Sequence, residues 1–235
     1  MNQSEDNAFT EADFLYDKEV VCPLCEKKIK VRVVKRSGLR LIKKDSDSLP
    51  YYKYINPLFY DVWLCNHCGY AALESIFLNE LKSSEQDLIY QRVSSHWQYR
   101  EYPPTMPLET ALDRYKIALY CADIRQARES EMSMLLLKMA WLHRLKGNSE
   151  IEKRCLANAV AAFKVLYEKG NFPVAGMNES ALVYMLADLS HRIDDEKECL
   201  MWLGILFNDR QAKPALKEKG RDLKYLISEE KKKAG

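Results

Sequence analysis

A chain of 235 residues is long enough for one large domain or two modest ones with real apolar cores. Its 47% hydrophobic and 30% charged residues are an ordinary globular balance, and a net charge of +2 excludes an overall bias toward nucleic acid or membrane surfaces. No run approaches the ~20 apolar residues of a membrane span. The N-terminal segment carries Glu5, Asp6, Glu11, Asp13 and Asp17, whereas a signal peptide needs a cationic start and an apolar stretch. The expectation is a cytoplasmic protein with no membrane partner.

Seven cysteines in a reducing compartment argue against a disulfide framework, and an odd number leaves at least one unpaired. Four fall in two C-x-x-C knuckles, Cys22-Pro23-Leu24-Cys25 and Cys65-Asn66-His67-Cys68, separated by 39 residues. Two knuckles supply four thiolates, which suits one structural, tetrahedral Zn²⁺ and leaves no position open for catalysis. Gly69 after the second knuckle permits the positive φ that such turns use. The same ligands could hold iron as a rubredoxin-like electron carrier. A thioredoxin-like dithiol is the non-metal alternative, since a strand precedes Cys65 and a helix could follow from Ala71, but the first knuckle favours the metal. His67, inside the turn, is expected to face solvent.

Between the knuckles, Ile29, Val31 and Val33 alternate with Lys28, Lys30 and Arg32, the period of a half-buried strand. Ser37-Gly38 reads as a turn, Leu39–Ile42 as the returning strand and Phe59–Leu64 as a third strand entering the second knuckle. So small an antiparallel sheet has little core, and the metal should supply much of its stability.

From about Ala71 onward the period becomes helical. Two short helices, around Leu73–Leu81 and Leu88–Val93, precede a break at Pro103, Pro104 and Pro107. Six helices are expected beyond it. The first carries the stripe Leu108, Ala111, Leu112, Tyr115, Ala118, Leu119 and Ala122. The second, from about Glu129 to Lys146, is apolar nearly all round. Ser149–Glu152 reads as a capping box for the third. The fourth buries Leu182, Met185, Leu186 and Leu189. Asp194 is the expected cap of the fifth, and the sixth follows Pro214 to about Ser228. Antiparallel pairing of these helices resembles tetratricopeptide repeats of longer than usual spacing, with small residues at Ala111, Ala118 and Cys199. Cys121, Cys155 and Cys199 lie on apolar stripes and should be core residues.

The expected architecture is therefore mostly α. It comprises an acidic segment 1–18, a four-cysteine zinc ribbon 19–72, a helical connector 73–103, a tetratricopeptide-like helical-repeat domain 104–229 and a charged tail 230–235. Cys22-Pro23-Leu24-Cys25, Ser37-Gly38-Leu39-Arg40, Tyr51-Tyr52-Lys53, Ile55-Asn56-Pro57, Tyr60-Asp61-Val62-Trp63, Cys65-Asn66-His67-Cys68-Gly69-Tyr70-Ala71-Ala72 and Ala140-Trp141-Leu142 together resemble the bacterial family called domain of unknown function 2225. The resemblance spans nearly the whole chain. It implies a cytosolic bacterial protein with a zinc ribbon and tetratricopeptide-like helices, and no activity. The chain departs from the family at Ile193–Glu196, where a Leu-Gly-Asx-Tyr turn is usual, and at Asn66, where proline is common. Neither departure touches a metal ligand.

Three function classes can be weighed. An adaptor or scaffold would bind a protein or peptide in the groove lined by the first helix of each pair: Lys138, Trp141 and Arg144, then Tyr184, Asp188, His191 and Arg192. The bland alternative is a solvated face. Nucleic-acid binding would use the basic ribbon, where residues 26–53 hold ten Lys or Arg against three carboxylates, among them Lys28, Lys30, Arg32, Arg40, Lys43 and Lys44, with Tyr51, Tyr52 and Tyr54 beside them. An enzyme finds no support. There is no phosphate loop, H-E-x-x-H, nucleophile elbow or carboxylate cluster, and His96, His143 and His191 are dispersed. The reading is a non-catalytic zinc adaptor.

Overall fold

The computed structural model describes residues 10–234. Residues 1–9, the first half of the acidic segment 1–18, lie outside them. The chain forms two compact units: one is the chain up to Lys44 with Pro50–Gln126, the other Asp45–Leu49 with Ala127 onward. The division therefore falls after Gln126, not at the proline break, and five residues from the middle of the ribbon sequence belong to the second unit.

In the first unit, strands β1 (Leu15–Val21) and β2 (Lys28–Val34) form an antiparallel hairpin with Val20 opposite Ile29 and Asp17 opposite Arg32. The first knuckle is its turn. The return strand expected at Leu39–Ile42 does not pair with β2. Residues Arg36–Gly38 make a 3-10 turn, and β3 (Leu41–Lys44) pairs instead with β4 (Pro50–Tyr52). The reason is that the knuckle has already folded β1 onto β2. Strand β1 lacks a clean alternation, because Tyr16–Glu19 are all exposed.

The second knuckle repeats the device. Strand β5 (Val62–Leu64) leads in and β6 (Ala71–Leu73) leads out, paired antiparallel with every residue buried. The expected third strand is thus shorter, since Pro57–Tyr60 is a 3-10 turn capped by the Asn56 side chain. Helix begins at α1 (Glu74–Phe77) rather than Ala71, followed by α2 (Ser83–Arg92). Helix α3 (Leu108–Ile124) packs its stripe on β5 and β6, with Leu112 and Tyr115 fully buried. Burial of that kind contributes roughly 1.5–3 kcal/mol per large side chain. Tyr115 donates its hydroxyl to the Leu58 carbonyl at 3.2 Å, and Arg114 donates to the Val62 carbonyl at 3.3 Å. The helix read as the first of the repeats is therefore the cover of the ribbon.

The second unit contains α4 (Glu129–Leu145), α5 (Ser149–Lys169), α6 (Glu179–Arg192), α7 (Glu196–Asn208) and α8 (Pro214–Ala234), each packed on the next. Short links make α4/α5 and α6/α7 helical hairpins, as the repeat resemblance implies. Gly147 turns the first link at φ 78°, and the Asn148 side chain caps α5 on the Ile151 N–H at 3.3 Å. Ser149 is thus the first helical residue, not the cap, and Glu152 is used elsewhere. Asp195, one residue after the expected Asp194, caps α7 on the Glu198 N–H at 3.0 Å, while Asp194 takes φ 64°. Helix α8 continues through the charged tail to Ala234. Leu135, Leu142, Leu156, Phe163, Leu186, Leu189, Cys199 and Leu206 are fully buried between the helices. No helix among the described residues is long and apolar enough to cross a membrane.

Candidate metal centre

The two knuckles are built alike. The Cys22 N–H donates to the Lys27 carbonyl and the Glu26 N–H returns to the Cys22 carbonyl, at 3.0 and 2.9 Å. The Cys65 N–H donates to the Tyr70 carbonyl and the Gly69 N–H returns to the Cys65 carbonyl, at 2.8 and 2.9 Å. This closure needs positive φ at the residue after each second cysteine. Gly69 adopts 77° freely, whereas Glu26 adopts 57° despite its Cβ.

Closing both hairpins directs four sulfurs to one point. Cys22 Sγ and Cys68 Sγ lie 3.7 Å apart, Cys25 Sγ and Cys65 Sγ 3.6 Å, and all four within 4.8 Å of one another. Four sulfurs bonded at roughly 2.3 Å to a tetrahedral ion such as Zn²⁺ sit roughly 3.8 Å apart, whereas a disulfide needs roughly 2.05 Å. The donor set therefore fits a metal ion. Among the described residues this is the one cluster of three or more metal-ligating side chains that could hold such an ion. Cys22, Cys65 and Cys68 are buried and Cys25 is half-buried, within a core containing Val20, Ile29, Val31, Trp63, Tyr70 and Phe77. Sulfur-to-sulfur hydrogen bonds push the Cys22 and Cys68 thiols up and hold Cys65 down. A bound dication would let the whole set ionise together.

The segment after α2 braces the second knuckle, a role that sequence reasoning missed. Trp97 donates its indole N–H to the Asn66 carbonyl at 2.8 Å, and Ser94 donates its hydroxyl to the Cys68 carbonyl at 2.8 Å. The Asn66 side chain, at the position where proline is common, donates to the Arg100 carbonyl at 2.7 Å. A Cβ on Gly69 would lie 2.4 Å from the Trp97 ring, so glycine is needed for both conformation and space. His67 is exposed, its ring 5.3 Å from that of Tyr99, and it stands outside the ligand cluster. Cys121, Cys155 and Cys199 are buried core residues.

The residues expected to line an open groove are largely covered. Trp141, Tyr184 and Asp188 are 6%, 6% and 1% exposed, and Lys138 is half-buried on α4. Within the second unit, the turn Asp45–Leu49 occupies the place between Trp141, Arg144 and Arg192. Asp47 is fully buried and accepts from Trp141 Nε1 at 2.9 Å and from Arg144 Nη2 and Nη1 at 2.6 and 3.1 Å. Arg144 Nη1 also reaches Asp45 at 3.0 Å, and Arg192 donates to the Ser46 hydroxyl at 2.7 Å. Burial raises the Asp47 pKa, but the Arg144 hydrogen bond, the Arg192 and Arg144 charges and the Trp141 N–H outweigh it and hold the carboxyl below its ordinary range. Tyr184 and His191 also meet α8, with Lys219 over the Tyr184 ring at 5.8 Å and Glu230 3.6 Å from His191.

The basic ribbon residues divide. Lys28 pairs with Glu19 at 3.3 Å, Arg32 with Asp17 at 2.8 Å, and Lys30 stands opposite Glu19 in the β1–β2 register. Arg40, Lys43 and Lys44 lie on or next to β3, whose four residues are all exposed, and Lys43 covers the Tyr51 ring at 4.4 Å.

No curated protein and no solved structure matches this chain. One family pattern does, over residues 15–227, thereby taking in both knuckles and, entire, seven of the eight α-helices among the described residues. The chain belongs to the family domain of unknown function 2225, described as an uncharacterised protein conserved in bacteria.

Proposed function

We propose that this is a cytoplasmic, non-catalytic zinc protein that serves as an adaptor or scaffold for other proteins. One Zn²⁺, held by Cys22, Cys25, Cys65 and Cys68, would stabilise the first unit. Four thiolates fill its coordination, so no site remains for water or substrate. The observation that carries the adaptor reading is the acidic turn held between Trp141, Arg144 and Arg192. Helical hairpin arrays hold short segments against the first helix of each pair, and here such residues on α4 and α6 grip a segment of the chain itself. Nucleic-acid binding is less favoured, because β1 supplies carboxylates to part of the basic set. Cross-linking the full chain in bacterial cells tests the choice. Recovery of one discrete protein partner at near-stoichiometric yield fits the proposal. Recovery of nucleic acid in its place, lost on adding salt, contradicts it, as does recovery of neither.

A further inference from the structure

The clasp around Asp47 has a feature that a purely structural ion pair does not need. Each arginine is fixed through its Nε by a carboxylate of the helical scaffold: Arg144 by Glu152 at 2.6 Å and Arg192 by Asp188 at 2.8 Å. The Nη groups are thereby aimed at the turn, Arg144 at Asp45 and Asp47, and Arg192 at Ser46. A guanidinium held by one edge presents its other edge in a preset fork, the arrangement that recognises carboxylates with little loss of side-chain freedom. The scaffold carboxylates also balance both cations, so an emptied pocket would not contain two buried, uncompensated charges. Trp141 adds a single indole donor.

The bound turn displays what the pocket reads. The Asp45 N–H donates to the Leu49 carbonyl and the Ser48 N–H to the Asp45 carbonyl, both at 2.9 Å, with Ser48 at φ 73°. Asp47 and Leu49 are fully buried, while Ser46 and Ser48 are exposed. The ligand is thus a compact acidic turn of the pattern Asp-x-Asp-x-Leu, held through its two carboxylates, with the apolar Leu49 side chain buried.

We infer that the Trp141–Arg144–Arg192 pocket is a recognition site for acidic turns, occupied here in cis by Asp45–Leu49 and open to a partner's Asp-x-Asp-x-apolar turn by exchange. The inference rests on the adaptor reading and names the chemistry of its partner. A partner turn competes with a tethered one, so the intact chain binds weakly and release of the cis turn raises affinity.

The test uses a backbone-cyclised, fluorescent peptide of residues 43–51 as probe and the full chain as receptor. Asp45→Asn/Asp47→Asn should bind the peptide at least tenfold more tightly than wild type, and adding Arg144→Gln should remove that gain. A folded double variant binding no better than wild type overturns the inference. So does displacement of the peptide by inorganic phosphate at equal concentration, which would make the pocket a general anion site. Should the double variant not fold, hydrogen exchange on wild type decides: excess peptide should speed exchange at residues 45–49, and unchanged exchange overturns the inference. Peptide failure alongside a cross-linked protein partner leaves the adaptor reading standing with its partner surface elsewhere. Absence of any partner alongside peptide binding has the opposite meaning.

Discussion

Replacing Gly69 by alanine tests how the metal centre is built without touching a ligand. Gly69 sits at φ 77°, where an L side chain costs roughly 1–2 kcal/mol. Its new Cβ would lie 2.4 Å from Cε3 and 2.5 Å from Cδ2 of Trp97, so the indole must move. That movement breaks the Trp97 bond to the Asn66 carbonyl, worth about 1 kcal/mol net. The stiffer unfolded chain returns about 0.4–1 kcal/mol. The expected net loss is about 2 kcal/mol, roughly a 30-fold change in the folding constant. Denaturant unfolding of the metal-loaded protein measures it, and chelator competition should show a parallel loss of metal affinity. A Gly69→Ala/Trp97→Ala double variant should cost less than the sum of the singles, because the clash is gone. Gly69→Ala within about 0.5 kcal/mol of wild type, or strict additivity, would refute the bracing role of Trp97.

Other expectations follow from the same geometry. Cys65→Ser removes a buried ligand and should lower metal affinity by more than about 100-fold, read by chelator competition, while Cys121→Ser should leave metal content unchanged. Glu26→Gly relieves the left-handed strain at the first knuckle and should raise the unfolding midpoint, whereas Glu26→Val should lower it. The folded Asp47 pKa lies below its unfolded value of about 3.9, so its contribution is complete above that pH and is lost as pH falls through the folded value. The stability gap between wild type and Asp47→Asn should therefore be constant from about pH 5 to 8 and shrink only in acid. A gap that instead widens below pH 4 contradicts the ion pairing.

How far the residues announce this arrangement depends on the range of the interactions. The cysteine pairs are local signals, and their spacing identifies the four clustered sulfurs. Apolar patterning, caps and Pro214 likewise locate all six helices from α3 to α8, because each of these signals lies within or beside the helix itself. What escapes is pairing over distance. That β2 joins β1 and not β3 depends on the knuckle acting as a hairpin turn, and Tyr16–Glu19 show no alternation to reveal it. The α3 stripe looks like any repeat helix, since periodicity gives the face but not what covers it. Asp47 reads as a loop charge between strands. Its burial depends on Trp141, Arg144 and Arg192, which lie 94 or more positions away. Of the residues expected to line a groove, Trp141, Arg144 and Arg192 meet around the chain's own turn while Tyr184 and His191 also contact α8, and no local signal in the sequence marks either.

The zinc reading stands on one metal ion held by all four thiolates of the first unit. Its most direct test is the metal content and absorption spectrum of wild-type protein purified without added metal, compared with Cys65→Ser. About one equivalent of zinc, no visible colour, and loss of the metal in the variant are expected. Iron with thiolate charge-transfer bands would make electron transfer the leading function, and metal retained equally by Cys65→Ser would contradict the assigned ligands.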